Sequence, residues 1–339
     1  MPKKASGKSK SPANGKSNNA GGKFLRRILL SVIYLLAAYG LHNIIADCSE
    51  SYRNKSREYV KSAGQQISSG AKSVENSLTP QPTIVIKSMA DLAKSPFDNL
   101  KMGVPTFQCD VIVDRVGYAL GYSEKYEQPL WVTYNLTAEE VKSKKARRSD
   151  DFRSDPDIPT GSATPEDYKK SYFDRGHLAP AADMSFSLQA MSESFYMSNM
   201  SPQRPEFNRG IWKKLEEKVR DYAVACGSLY VVSGPIFDPD TPSITIGANK
   251  ISVPDKYYKV LLDPNTANPK AIAFVIDNRD AKQPLSEYAV TVDAVEAMTG
   301  LDFFSELDSA DERFLESQCN YAKWEQGVAV KRRKLRSKK

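Results

Sequence analysis

Short apolar bursts separated by polar turns fill most of the chain, but its first hundred residues follow other patterns. From Ile28 to Ala46 nineteen mostly apolar residues run together, with only Ser31, His42 and Asn43 strongly polar and none charged. At 1.5 Å per residue such a helix reaches roughly 28 Å, enough to cross a hydrocarbon core. Further on, Val60, Ala63, Ile67, Ala71, Val74 and Leu78 recur three and four apart, the spacing of a helical stripe, which the interspersed Ser and Gly weaken. Thr79-Pro80-Gln81-Pro82 ends it, because proline cannot continue a helix.

From about residue 100 the pattern becomes β-rich. Val111-Ile112-Val113, Gly117–Tyr122 and Leu130–Tyr134 read as paired strands,. Residues 135–172 are polar and read as a long surface loop,. Leu188–Tyr196 and Asn208–Ala225 predict helices; Leu229–Pro235, Tyr257–Leu262 and Ala271–Ile276 predict strands; Val292–Gly300 and Ala310–Gln318 predict helices again,. Strands and helices do not alternate regularly, so the pattern predicts an α+β domain with a largely antiparallel sheet. The organisation read from these changes is a basic leader (1–27), a membrane anchor (28–46), a stalk or linker (47–99), a folded domain (100–325) and a basic tail (326–339).

Charge sharpens this division. The chain has 48 Lys and Arg against 41 Asp and Glu. Residues 1–27 hold eight of the basic residues and residues 331–339 seven, with no acid in either. The segment between them therefore has 33 basic residues against all 41 acids, a balance of −8. The overall positive charge belongs to the termini, so a polyanion would meet the folded part through a local cluster of Arg and Lys. Basic residues before the apolar run, with Asp47 and Glu50 after it, orient a single-pass anchor with the domain outside the cytoplasm. A mitochondrial leader, placing the domain at the inner membrane or in the intermembrane space, and a cleaved secretory signal are the alternatives. Cys48, Cys109, Cys226 and Cys319 form no C-x-x-C pair; they exclude an ordinary structural zinc site and read mostly as buried free thiols.

Candidate chemistry concentrates in two places. Only two histidines exist, His42 in the apolar run and His177, so His177 is the sole proton-transfer imidazole available to the folded part,. It stands in Phe173-Asp174-Arg175-Gly176-His177-Leu178-Ala179-Pro180. About thirty residues later come Asn199-Met200-Ser201-Pro202-Gln203 and Asn208-Arg209-Gly210-Ile211-Trp212-Lys213-Lys214-Leu215-Glu216. A helix starting near Asn208 puts Asn208, Trp212 and Glu216 on one face, aiming an amide oxygen and a carboxylate at one site. Mg²⁺ suits such a site, because it takes few protein oxygens and keeps several waters. The plainer alternative makes Asn208 a helix cap and Glu216 a solvated charge.

Together these motifs resemble the DNA/RNA non-specific endonuclease family, the ββα-metal nucleases, over about Cys109–Asn278. The supporting stretches are Gly117–Tyr122, Leu130–Thr137, Val232–Pro235 and Tyr257–Val260. The resemblance implies that His177 is the general base and that Asn208 ligates one Mg²⁺, with Mn²⁺ as a substitute metal. It also implies that Glu216 orients metal-bound water or the neighbouring arginine and that Arg175 holds charge near the phosphate. A further phosphate-binding arginine precedes the motif, Arg147 or Arg148, with the spacing to Phe152 and Asp155 favouring Arg148. The implied substrates are single- or double-stranded DNA and RNA, cut to 5′-phosphate and 3′-hydroxyl ends, and a homodimer is among the implied assemblies. The contrasting expectation is a catalytically inert, membrane-anchored nucleic-acid-binding protein on the same fold.

Overall fold

Leu229-Tyr230-Val231-Val232 has no polar interruption because both faces of its strand are covered, the condition that produces continuous apolar runs,. In the computed structural model, which describes residues 81–238, 244–265 and 267–336 (the last five as backbone only), this run lies in the middle of an eight-stranded antiparallel sheet. Its strands are β1 (Ile84–Ile86), β2 (Val111–Asp114), β3 (Ala119–Ser123), β4 (Gln128–Thr137), β7 (Ser228–Ile236), β10 (Lys256–Asp263), β11 (Lys270–Asp277) and β12 (Ala289–Val290), in that spatial order. Two small hairpins stand apart: β5 (Asp174–His177) with β6 (Met200–Gln203), and β8 (Thr245–Ile246) with β9 (Ile251–Ser252).

The helices are α1 (Met89–Leu92), α2 (Ala138–Lys142), α3 (Leu188–Glu193), α4 (Lys213–Cys226), α5 (Val292–Thr299), α6 (Ser309–Glu316) and α7 (Tyr321–Arg336). Strand alternation divides the core between the two sheet faces. Leu229, Val231, Tyr257 and Leu261 pack with Trp212, Leu215, Val219 and Tyr222 around α4 and with Trp324 and Val328 of α7. Tyr230, Val232, Tyr258 and Val260 pack on the other face with Val292, Val295, Leu315 and the Leu301–Phe304 turn. The same alternation puts Lys259, fully buried, on the α4 face.

Three sequence expectations need correction. Ile84–Ile86 falls in the expected linker, yet it pairs with Ile112–Asp114 as an edge strand; three residues are too few to show a period. Residues 135–172 are not a free loop, since Asp155, Ile158, Ala163 and Tyr168 are buried and Arg115 donates from one nitrogen to both Asp155 oxygens at 2.7 and 2.6 Å. The basic tail is largely helix: α7 buries Trp324 and Val328, an i,i+4 pair, and Lys218 and Tyr222 donate to Glu325 at 3.0 and 2.7 Å. The expected leader, anchor and stalk stripe lie outside the described residues. Among the described residues no helix is long and apolar enough to cross a membrane, and Cys109, Cys226 and Cys319 are free thiols.

Candidate active site

The β5–β6 hairpin holds the histidine motif through its own backbone. Gly176 faces Ser201, and a Cβ on it would come within 2.2 Å of the Gln203 side chain, so only glycine lets the two strands close this tightly,. The Asn199 side chain clamps the turn after His177: its amide donates to the carbonyls of Ala179 and Ser194, and its oxygen accepts from the Ala179 N–H, each at 2.9 Å. Tyr257 and Asn278 fasten the other strand by donating to the Pro202 carbonyl at 2.9 and 3.0 Å. Much of the second motif therefore positions the first.

His177 is only 9% exposed, and the edges of Phe195 and Phe152 approach it with ring centroids at 4.9 and 5.7 Å. Burial, reinforced by the Arg148 and Arg175 charges, pushes the imidazole down to about 3,. The ring is consequently neutral at physiological pH and able to accept a proton. Its Nε2 is buried without a hydrogen-bond partner.

The two arginines are carried by the same aromatic rings. Arg148 lies over Phe195 at 4.8 Å and Arg175 over Phe152 at 3.9 Å, which fixes their planes; Arg148 also donates from Nε to Asp150 at 2.7 Å. A cleft of about 570 Å³ is lined by Arg148, Arg175, Asp174 and Asn208, with Phe173, Lys169 and Arg209 at its sides. Arg147 is exposed and outside this lining. His177 is not among the lining residues; Phe152, which is, packs against its ring with centroids 5.7 Å apart.

Asn208 is not a helix cap. Its amide N–H donates to Asp174 at 2.9 Å, and Arg209 grips the same carboxylate at 2.8 and 2.6 Å. A carboxylate only accepts, so the NH₂ end of Asn208 faces Asp174 and its carbonyl oxygen points away. The expected single helical face also needs correcting. Phe207–Trp212 forms a wide π-type turn that leaves helical geometry at Gly210 (φ −99°, ψ −106°), and regular helix begins at Lys213. This insertion breaks the i,i+4 register, leaving Trp212 fully in the core and Asn208 in the cleft.

Glu216 is half-buried in a charged cluster. Burial raises its carboxyl, with Asp183 adding to the rise and Lys259, Arg220 and Arg148 opposing it. Arg220, one turn along α4, donates to Asp183 at 2.8 Å, and Tyr134 donates to the other Asp183 oxygen at 2.9 Å. Lys259 is held beneath Trp212 at 4.6 Å and donates to Ser233; burial lowers its pKa against the pull of Glu216 and Asp183. Sequence reading missed Arg220, Asp183, Lys259 and the orphaned Gln203 amide. The i+4 spacing of Arg220 from Glu216, and the one lysine inside the otherwise apolar and aromatic Tyr257–Leu262 run, are the signals that could have found two of them. An amide oxygen beside a carboxylate fits a hard, oxygen-binding cation,.

A mixed α/β protein with a large antiparallel sheet, whose hairpin-and-helix unit gathers arginines over a neutral histidine, is the class defined here. Residues 95–310 match the sequence profile of the DNA/RNA non-specific endonucleases, and the chain belongs to that family. It is similar to the frog (Xenopus laevis) protein "Nuclease EXOG, mitochondrial", 39% identical over 207 residues covering 57% of this chain and 58% of that one. It is also similar to "Nuclease C1" of Cunninghamella echinulata var. echinulata, at 36% identity covering 62% of this chain and 88% of the other. A chain in the crystal structure of the EndoG/EndoGI complex superposes with a TM-score of 0.58 and 32% identity, covering 62% of this chain and 91% of that one. The matched stretch thus spans under two thirds of the frog relative's length.

Proposed function

We propose that this protein is a Mg²⁺-dependent, sugar-non-specific endonuclease of the ββα-metal type, hydrolysing phosphodiester bonds in DNA and RNA. The observation that carries the reading is a buried His177, its Nε2 unpartnered, packed behind Phe152 of a cleft lined by Arg148, Arg175 and Asn208. Arg148 and Arg175 bind the phosphate that is attacked. His177 takes a proton from water as the water oxygen bonds to phosphorus and the bond to the 3′ oxygen breaks. That oxygen leaves with a proton from solvent, giving 5′-phosphate and 3′-hydroxyl ends. Asn208 would hold Mg²⁺, with Glu216 orienting its waters and the neighbouring arginines. When bound, the ion neutralises charge developing on the phosphate and the leaving oxygen. Mn²⁺, another hard cation, is the expected substitute.

The assigned residues meet phosphate and sugar, and such contacts carry no sequence information; low selectivity follows. Arg148 takes the phosphate role in preference to Arg147, because only Arg148 lines the cleft and is set by an aromatic ring. The apolar run at 28–46 supports a single-pass tether with the domain outside the cytoplasm,. The mitochondrial names of several relatives favour a mitochondrial location, for which the inner membrane or intermembrane space is the alternative expectation. Protease protection of a tagged copy tests both, and light scattering tests the homodimer. For the chemistry, chelation with EDTA is expected to abolish cleavage of plasmid DNA and RNA and added Mg²⁺ to restore it, with Asn208→Ala raising the Mg²⁺ concentration needed. Full cleavage in chelator contradicts the metal mechanism.

A further inference from the structure

On the sheet face away from His177, two helices bring carboxylates together with no cation among the described residues to balance them. Asp293 and Glu296, three apart on α5, and Glu316, the last residue of α6, each offer an oxygen, all within 4.8 Å of one another. Glu316 is 5% exposed, and its Oε1 is buried without a hydrogen-bond partner. It also stands at a helix C-terminus, where the dipole disfavours an acid. Asp302 and Glu312 add two further negative charges to its surroundings. None of these five acids forms an ion pair among the described residues; Arg313 acts only on Glu312, and one Glu296 oxygen accepts the Phe303 N–H at 2.8 Å.

A buried carboxylate without a partner must lose its charge or find a counter-charge. Glu316 Oε1 is enclosed without a partner, so an ionised carboxylate here calls for a cation. Three converging carboxylates select a hard ion,. Ca²⁺ binds oxygens at about 2.3–2.6 Å, so three oxygens this close to one another can share one ion, and water can fill the positions that three carboxylates leave open.

We infer that Asp293, Glu296 and Glu316 form a divalent-cation site, taken to bind Ca²⁺, that ties α5 to α6 where both pack on β11. Its role is structural. Val292, Val295 and Leu315, neighbours of the three ligands, are all in the core of this face, so an ion gripping both helices holds them against the sheet. The site is separate from the proposed catalytic one, which is built from residues around the opposite core layer.

The test is thermal unfolding of the full chain in EDTA and across a series of free Ca²⁺ concentrations. Binding to the folded state alone raises Tm with the logarithm of free ion, by about 5–10 °C at a hundredfold excess over Kd. The rise is expected in the parent protein and in Asn208→Ala, which leaves this cluster intact. It is expected to vanish in Asp293→Asn and in Glu316→Gln. Asp293 is exposed, so its variant keeps the core, and Glu316→Gln, relieved of a buried acid, should melt in EDTA no lower than the parent. Equal melting of the parent in EDTA and in millimolar Ca²⁺ overturns the site. So does a Ca²⁺ response that survives both carboxylate variants or is lost only in Asn208→Ala.

Discussion

At the residue scale the imidazole of His177 is governed by what surrounds it. Phe152 and Phe195 exclude water, and two guanidinium groups disfavour a third positive charge, so the folded protein holds the ring neutral. Linkage gives this a sign: in the unfolded chain the ring titrates near 6.5, in the folded protein near 3. Its contribution to stability is therefore complete above pH 6.5 and is lost as pH falls from there toward 3, because the unfolded state takes up the proton first. In urea melts followed between pH 7 and 4, His177→Gln is expected to lose less stability on acidification than the parent protein. Equal slopes contradict the assignment of a depressed imidazole. The identity of this residue was legible, since His177 is the only histidine of the folded part, but its neutral state was not. Phe195 and Arg148 reach it from distant positions, and no local pattern announces them.

At the element scale, the long apolar strands were readable, and of the short ones only β2 and β3. β7 and β10 are long and covered on both faces, so their runs are unmistakable,. The β5–β6 hairpin, which carries the histidine, is four residues a side and reads Asp-Arg-Gly-His against Met-Ser-Pro-Gln, with no apolar alternation; its pairing is maintained by Asn199, Tyr257 and Asn278. The π-type turn at Gly210 was likewise invisible to a pattern that assumes 3.6 residues per turn,. The C-terminal helix was obscured for another reason: the charge run at its end dominates the composition, while its anchor is the single pair Trp324 and Val328. Trp324 packs on Tyr222 of α4 with ring centroids at 5.1 Å. Trp324→Ala is expected to cost about 3–5 kcal/mol, the usual loss for a buried aromatic. Chemical denaturation measures it, and a loss below 1 kcal/mol would mean that α7 is only loosely attached.

Across the whole molecule, charge and chemistry are separated. The terminal segments hold fifteen basic residues and no acid, while the span between them has a balance of −8, so the cleft arginines act against a mildly negative background. The Lys331–Lys339 run, of which Lys331–Arg336 is the last part of α7, suits non-specific capture of a polyanion, with a merely solubilising role as the contrasting outcome. Truncation after Val330 removes these cations but keeps Trp324 and Val328. It is expected to raise KM for long DNA and flatten its salt dependence, with kcat almost unchanged, because fewer counterions are released on binding. An unchanged KM across a range of salt leaves only the solubilising role.

The central claim is that His177 is the base of a metal-dependent hydrolysis, and one variant reaches it directly. Full-length His177→Ala should be compared with the parent on plasmid DNA and on RNA at saturating Mg²⁺, after circular dichroism and thermal melting establish that it folds. Removal of a positioned base is expected to lower kcat by ~10²–10⁴-fold on both substrates. A folded His177→Ala that cleaves either substrate at close to the parent rate contradicts the account.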